Sequence, residues 1–336
     1  MASQEIDEVD NSPRRGELKH LRFVMQAAFS LFCLYSGYCF YLFYAWASGA
    51  SRFFVPRPPA VEAFLPISGL IGLKQLLLTG VYDEIHPAGL TIFISALLLA
   101  LFFRKGFCGW ICPVGFISNL IEKIGLQLKT IKRIPVFFDI LLMSLKYFLL
   151  AFFAFVVLLE MDLQAIEEFS RSPYNLVVDA RMLLFFIKPS TVTLWCLSFL
   201  VFVSFFSRNF WCRYLCPYGA LLGLIALFSP VRVKRDREKC IGCQQCEKVC
   251  PGSIRVAAKD SINSPECLGC LECVAVCPVD DCLKVSAAGR QLPALLLPLG
   301  ILALFFSLWA WAQLSGHWQS EVPLEVLQAY YRKIRM

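Results

Sequence analysis

The stretch Cys240-Ile-Gly-Cys243-Gln-Gln-Cys246-Glu-Lys-Val-Cys250-Pro251 decides what kind of chain this is. A second copy, Cys267-Leu-Gly-Cys270-Leu-Glu-Cys273-Val-Ala-Val-Cys277-Pro278, begins 27 residues later. Each reads C-x2-C-x2-C-x3-C-P. Three close thiolates take the corners of one iron–sulfur cubane, and the fourth, launched by the proline, reaches a second cubane. The pattern predicts one 4Fe–4S cluster on Cys240, Cys243, Cys246 and Cys277, and another on Cys267, Cys270, Cys273 and Cys250. Gly242 and Gly269 would let backbone amides approach sulfide. Zinc knuckles are the competing reading, but they use two separated Cys pairs rather than a triple closed by Cys-Pro. Cys282, just beyond the run, reads as a small buried thiol.

Around this segment the composition is that of a membrane protein. Of 336 residues, 58% are hydrophobic, 14% aromatic and 17% charged, with a mean hydropathy of +0.62. A soluble domain carries about 25% charged residues, so an ordinary soluble enzyme and a disordered chain are both excluded. Three His are too few for two bis-His haems. Helices of about 20 apolar residues cross a bilayer, and five stretches meet or approach that length: 22–48, 87–103, 136–159, 191–207 and 292–314. The first is too long for a cleaved leader and reads as a retained anchor. Of 32 Lys and Arg, 22 fall in the N-terminal segment, the loops after the second and fourth spans, and the Cys-rich segment; nine fall in the opposite loops and tail. The positive-inside rule therefore predicts a cytoplasmic N-terminus and iron–sulfur segment, and a periplasmic C-terminus. The net charge of +7 is read as this topology signal, not as a nucleic-acid surface. The expected division is a tail over 1–21, polar and disordered to about 18. A four-helix membrane domain follows over 22–231, then a cytoplasmic α+β iron–sulfur domain over 232–290, a fifth span over 291–314 and a tail over 315–336.

An internal repeat organises the membrane part. Arg104-Lys-Gly-Phe-Cys108-Gly-Trp-Ile-Cys112-Pro-Val-Gly115 aligns with Arg208-Asn-Phe-Trp-Cys212-Arg-Tyr-Leu-Cys216-Pro-Tyr-Gly219 at a constant offset of 104. Each copy follows a short span and precedes another apolar helical stretch, 114–130 or 218–229. Both run the same way, so the expected symmetry is a parallel repeat about the membrane normal. That symmetry brings Cys108, Cys112, Cys212 and Cys216 together at the cytoplasmic face. Pro113 and Pro217 suit a first helical turn. Cys112 and Cys216 then sit at helix N-termini, where thiolate is favoured, with Arg104, Arg208 and Arg213 adding to the field. Four thiolates suit a further metal centre, either an iron–sulfur cluster or one soft ion; a cycling dithiol and plain packing are the alternatives.

Other residues carry weaker signals. Lys146 is a cation inside a span, a functional candidate by default, or the partner of Asp139 seven positions earlier. His86, with Asp83 and Glu84, lies at the outer end of the second span, either as a proton acceptor for a quinol or as a structural loop residue. Ser48-Gly-Ala-Ser51 has the look of a flavin-attachment motif, with chance the stronger reading. Cys33, Cys39 and Cys196 read as core residues. The outer loop 49–88 holds an apolar segment, 61–80, suited to an interfacial or re-entrant helix and to a quinone tail.

With these motifs in order, residues 22–314 resemble the integral-membrane polyferredoxins. These include the NapH subunit of periplasmic nitrate-reductase systems, the C-terminal half of NosR and a copper-reducing cytochrome-oxidase assembly factor. The resemblance implies a bacterial-type two-cluster ferredoxin domain on a multi-pass protein of the bacterial inner membrane. It also implies electron exchange between the quinone pool or a cytoplasmic donor and a reductase system or its maturation pathway, with further redox subunits as partners. Two other classes stay open: a metal-handling assembly factor working at the membrane Cys motifs, and a redox sensor. A transporter fits less well, because the spans hold few polar groups besides Lys146. The sequence assigns no catalytic residue.

Overall fold

The computed structural model describes residues 13–131 and 134–335. The chain forms two compact units. The first comprises Met1–Phe29, Leu97–Met143 and Ser204–Ala303; the second comprises Ser30–Ala96, Ser144–Val203 and Leu304–Met336.

The first unit contains a small antiparallel sheet of four strands: β1 Val231–Arg235, β2 Ser261–Ile262, β3 Leu283–Ala287 and β4 Arg290–Leu292, in the order β2-β1-β3-β4. Alternation explains β1, since buried Val231 and Val233 flank the more exposed Arg232. Val233 faces Ile262 on one side and Val285 on the other. Such apolar cross-strand pairs set the register, because a slip of one residue would turn the valines to solvent. Short helices Gln245–Lys248 and Glu272–Val276 each carry the third Cys of a triple, Cys246 and Cys273. The sheet and these turns match the expected α+β domain.

The same unit holds the two membrane Cys turns. Each is a single π turn, Phe107–Ile111 or Trp211–Leu215, followed by a helix that starts at its proline: Pro113–Gln127 or Pro217–Ile225. Proline suits the first turn because its missing N–H has no intrahelical partner there. Gly115 lets its helix close on the turn, since a Cβ there would lie 2.6 Å from the Cys108 carbonyl; at Gly219 the matching distance to Cys212 is 3.4 Å.

Two apolar cores stand out among the described residues of the second unit. One joins Phe40, Phe43, Ala47, Val177, Ala180, Leu327 and Tyr331, and the other Ile71, Val157 and Ile166. Helix Leu324–Arg335 is amphipathic and turns Leu327 and Tyr331 into the first core. The apolar outer segment forms a 3-10 turn, Pro59–Phe64, and a helix, Pro66–Thr79.

Among the described residues, three helices are long and apolar enough to cross a membrane: Gly16–Ala47, Val136–Glu160 and Leu296–Leu314. Val136–Glu160 leaves most of its apolar side chains uncovered by protein, Phe137 at 72% exposure for instance. That pattern suits lipid contact. A fourth crossing exists if Val178–Ile187 and Thr191–Ser204, bent by 74°, make one broken span. Pro189 lies at that break and disfavours helix in the residue before it. The stretch expected as a span over 191–207 is helical only over the 14 residues Thr191–Ser204, roughly 21 Å against a core of about 30 Å. Pro87–Phe103 is a shorter apolar helix of 17 residues.

Two expectations need correction. The polar tail was expected to stay disordered to residue 18, but the helix Pro13–Ala47 already includes residues 13–18. Leu18 and Arg22 are buried, which extends the apolar run's helix toward the N-terminus; residues 1–12 lie outside the described residues. Cys196 was expected in the core. It is exposed on its helix, whereas Cys33 and Cys39 are half-buried.

Candidate metal centres

The first four-Cys set surrounds a cavity. Cys240, Cys243, Cys246 and Cys277 line it with Cys282, Arg235, Ile241, Pro278 and Leu283. Four soft thiols around an apolar hollow fit an iron–sulfur cubane. The Gly242 N–H donates to the Cys240 sulfur and the Glu247 N–H to the Cys246 sulfur. The Gly242 amide, then the Arg235 guanidinium, pull the Cys240 thiol below its ordinary range. Burial pushes Cys246 up to about 11. Cys282 is indeed buried, yet it faces this cavity and interacts with Cys277 and Cys240.

The second set is more enclosed. Burial pushes the Cys273 thiol well above its ordinary range, with Cys270, Cys250, Cys267 and, from the first set, Cys246 acting in the same direction. Burial pushes Cys250 up to about 11 and Cys270 to about 12. Backbone N–H groups of Ile254 and Gly252 point at Cys250, and that of Glu272 at Cys270. Both triples share a backbone signature: Gly242 and Gly269 have φ of 70° and 62°, and Gln244 and Leu271 have φ of 58° and 60°. A left-handed leucine costs roughly 1–2 kcal/mol. Such strain persists where the surroundings over-determine the loop, and a loop wound around a cluster is such a case.

Of the four membrane Cys, Cys212 feels the other three electrostatically. Burial pushes the Cys212 thiol well above its ordinary range, with Cys112, Cys216 and Cys108 acting in the same direction and Lys105 against them. Cys112 and Cys216 occupy the N-cap positions of their helices, and the Gly219 N–H donates to Cys216 Sγ at 3.3 Å. An enclosed group of four thiols is costly to ionise unless a soft cation balances it. Buried Lys105 and the Tyr218 ring beside the thiols were not singled out by the sequence pattern.

The three arginines also hold backbone that the sequence did not suggest. Arg104 donates to the Ala226 and Ser264 carbonyls and to Asn263 Oδ1, each at 2.7 Å. Arg208 donates to the carbonyls of Glu247, Lys248 and Cys250. Arg213 bonds Asp139 and the Gly252 carbonyl. A guanidinium presents five donors in a fork, and here the forks clamp the loops of the iron–sulfur domain.

The remaining candidates divide. Asp139 is engaged by Arg213 at 2.7 Å and by the Tyr214 hydroxyl at 2.6 Å. Lys146 is fully buried, its ammonium 5.2 Å from the Tyr147 ring centre. His86 is buried in a polar network: Nε2 lies 2.9 Å from the Asn175 carbonyl and Nδ1 3.4 Å from Glu62. Arg57 bridges Glu62 and Asp179, each at 2.8 Å. Asp83 holds the loop before His86 by accepting from the Ile85 and His86 amides. Burial would lower the His86 pKa, but Glu62 outweighs it and the net shift is upward. Ser48 bonds the Ala45 carbonyl and Ser51 the Phe53 amide, which are local turn contacts.

Comparison with known proteins agrees with this chemistry. A family model described as a 4Fe-4S binding domain matches residues 85–132 and again 189–235, and one described as a 4Fe-4S dicluster domain matches 232–278. YccM of Escherichia coli K12 is 40% identical over 297 residues, covering 86% of this chain and 82% of YccM. The ferredoxin-type protein NapH of Haemophilus influenzae is 30% identical over 177 residues, 49% of this chain and 55% of NapH. The regulatory protein NosR of Pseudomonas aeruginosa is 31% identical over 160 residues, 46% of this chain and 21% of NosR. No solved structure matches the chain.

Proposed function

Because the chain belongs to the family of NapH/NosR-like polyferredoxins, we propose that it links the quinone pool or a cytoplasmic donor to a reductase system, or to that system's maturation pathway. It is an iron–sulfur electron-transfer protein of the membrane. The relative YccM is named for a provisional role in electron transport, and NapH as a ferredoxin-type protein. Redox subunits of a reductase complex are the partners this reading expects.

The observation that carries the proposal is the gathering of Cys108, Cys112, Cys212 and Cys216 next to a domain with two further four-Cys sets. A bound 4Fe–4S cluster supplies a one-electron couple, tuned by charge, hydrogen bonds to sulfur and exposure. The chain's own part is to hold and tune it. Cys240, Cys243, Cys246 and Cys277 would hold one cluster, and Cys250, Cys267, Cys270 and Cys273 the other. Amides of Gly242, Glu247, Gly252, Ile254 and Glu272 would stabilise the thiolates. The membrane Cys would hold a further metal centre.

The division at 22–231, 232–290 and 291–314, five crossings, a parallel repeat and a cytoplasmic iron–sulfur domain belong to the same proposal. The two matches of one family model, whose first residues are 104 apart, support the repeat. The charge bias supports the sidedness.

A second reading rests on the same four thiols, which also suit one soft ion such as Cu(I): a metal-handling assembly factor. The functional test uses membrane vesicles containing the full chain, a soluble quinol analogue, and electron paramagnetic resonance of the clusters. The proposal expects quinol or a low-potential cytoplasmic donor to reduce the clusters. If neither does while copper follows the membrane Cys, the assembly-factor reading stands instead.

A further inference from the structure

One contact within the first unit ties a cluster loop to a membrane Cys turn. Trp110 lies between Cys108 and Cys112 and is fully buried. Its indole Nε1 donates to the Gly269 carbonyl at 3.1 Å. Gly269 lies between Cys267 and Cys270, both assigned to the second cluster site. The neighbouring residue closes the same joint: a Cβ on Gly109 would lie 2.5 Å from the Leu268 carbonyl. From the other side, Arg22 Nε and Gln26 Nε2 donate to the Gly109 carbonyl at 3.1 and 3.0 Å. Arg22 also pairs with Glu272 at 2.7 Å, beside Cys273.

The second repeat reaches the same ligand set from another direction. Arg208 holds the Cys250 carbonyl and Arg213 the Gly252 carbonyl. The repeat's own counterpart of Trp110 is Tyr214, and its hydroxyl is spent on Asp139. The repeats are therefore unlike at this point, and only the first copy places an aromatic N–H on a cluster loop. The first four-Cys set lies elsewhere, with Ile241 68% exposed at its rim.

We propose that Trp110 is a positioning residue that couples the Cys267–Cys270 loop to the Cys108–Cys112 turn. The Cys250/Cys267/Cys270/Cys273 site then adjoins the membrane Cys turns, and the Cys240/Cys243/Cys246/Cys277 site is the one presented to a soluble redox partner. This deepens the electron-carrier reading and rests on it. The physical reason is that the indole both polarises the Gly269–Cys270 peptide and excludes water from it. Cluster potentials respond to both effects.

The test compares the full-length protein with Trp110→Phe, which keeps a ring and removes the N–H. Iron and labile sulfide are counted, and midpoint potentials are read by electron paramagnetic resonance in a redox titration. Expected is an unchanged iron and sulfide content with a shift in one cluster only. That cluster is the one kept in a Cys243→Ser variant and lost in a Cys270→Ser variant, since Cys270 belongs only to the second site. Two unmoved potentials would overturn the proposal, as would loss of iron without a shift, which marks Trp110 as packing alone. A shift confined to the Cys240 set would overturn the assigned order. A wild-type chain with clearly less than about 8 Fe fails the electron-carrier reading itself, and the proposal with it.

Discussion

Arg208 donates to the backbone carbonyl of Cys250 at 3.0 Å, across 42 residues of sequence. The same guanidinium reaches the carbonyls of Glu247 and Lys248 and lies 3.6 Å from Glu122. Hydrogen bonds to charged groups contribute about 1.5–3 kcal/mol each. Arg208→Lys loses the fork while keeping the charge. Thermal denaturation followed by cluster absorbance should show release at lower temperature, with a loss of a few kcal/mol. Retention equal to wild type would count against a clamp at this position.

Cysteine substitutions separate ligands from neighbours. Cys243→Ser removes a ligand of the first site and should lower iron by roughly 4 per chain. Cys282 lines the same cavity yet has no place in the C-x2-C-x2-C-x3-C-P pattern. Cys282→Ser should keep the iron count of the wild type. If the two variants lose iron equally, the assigned ligand set is wrong.

Glu122 gives a pH dependence. Its carboxyl is pushed up to about 7, chiefly by burial, with Arg208 opposing, and Asn209 donates to it at 3.0 Å. The folded state therefore binds this proton more readily than the unfolded chain, whose glutamate titrates near about 4.3. Between those values folding is linked to proton uptake, so stability declines as pH rises through the window. The span amounts to a few kcal/mol at most. Glu122→Gln should flatten denaturation midpoints between about pH 5 and 7. An unchanged slope in that variant would assign the pH dependence to another group.

Much of this site was legible in the sequence because cluster ligation imposes spacing. The eight ferredoxin cysteines and the 104-residue offset are linear patterns, readable before any fold is known. The offset even marked Trp110 and Tyr214 as equivalent, although it could not show that one meets Gly269 and the other Asp139. Arginine roles were not legible. Arg104, Arg208 and Arg213 sit beside thiols in sequence, but their long side chains reach carbonyls more than a hundred residues away in one case and about forty in the others. The Arg57–Glu62–His86 network escaped for a similar reason: His86 was singled out, but the helix Pro66–Thr79 separates it from Arg57 and Glu62 and no periodicity joins them. Hydropathy alone did not show that the expected span 191–207 is helical only to Ser204, or that Val178–Ile187 precedes it across a 74° bend.

The central claim is that the membrane Cys hold a metal centre beyond the two ferredoxin clusters. Iron, labile sulfide and copper per chain, measured on anaerobically purified full-length protein and on a Cys108→Ser/Cys212→Ser variant, test it most directly. Two cubanes contribute about 8 Fe. The electron-carrier account predicts clearly more iron than that in the wild type, falling to about 8 in the variant. Iron near 8 in both proteins, with copper bound by the wild type and lost from the variant, would contradict it.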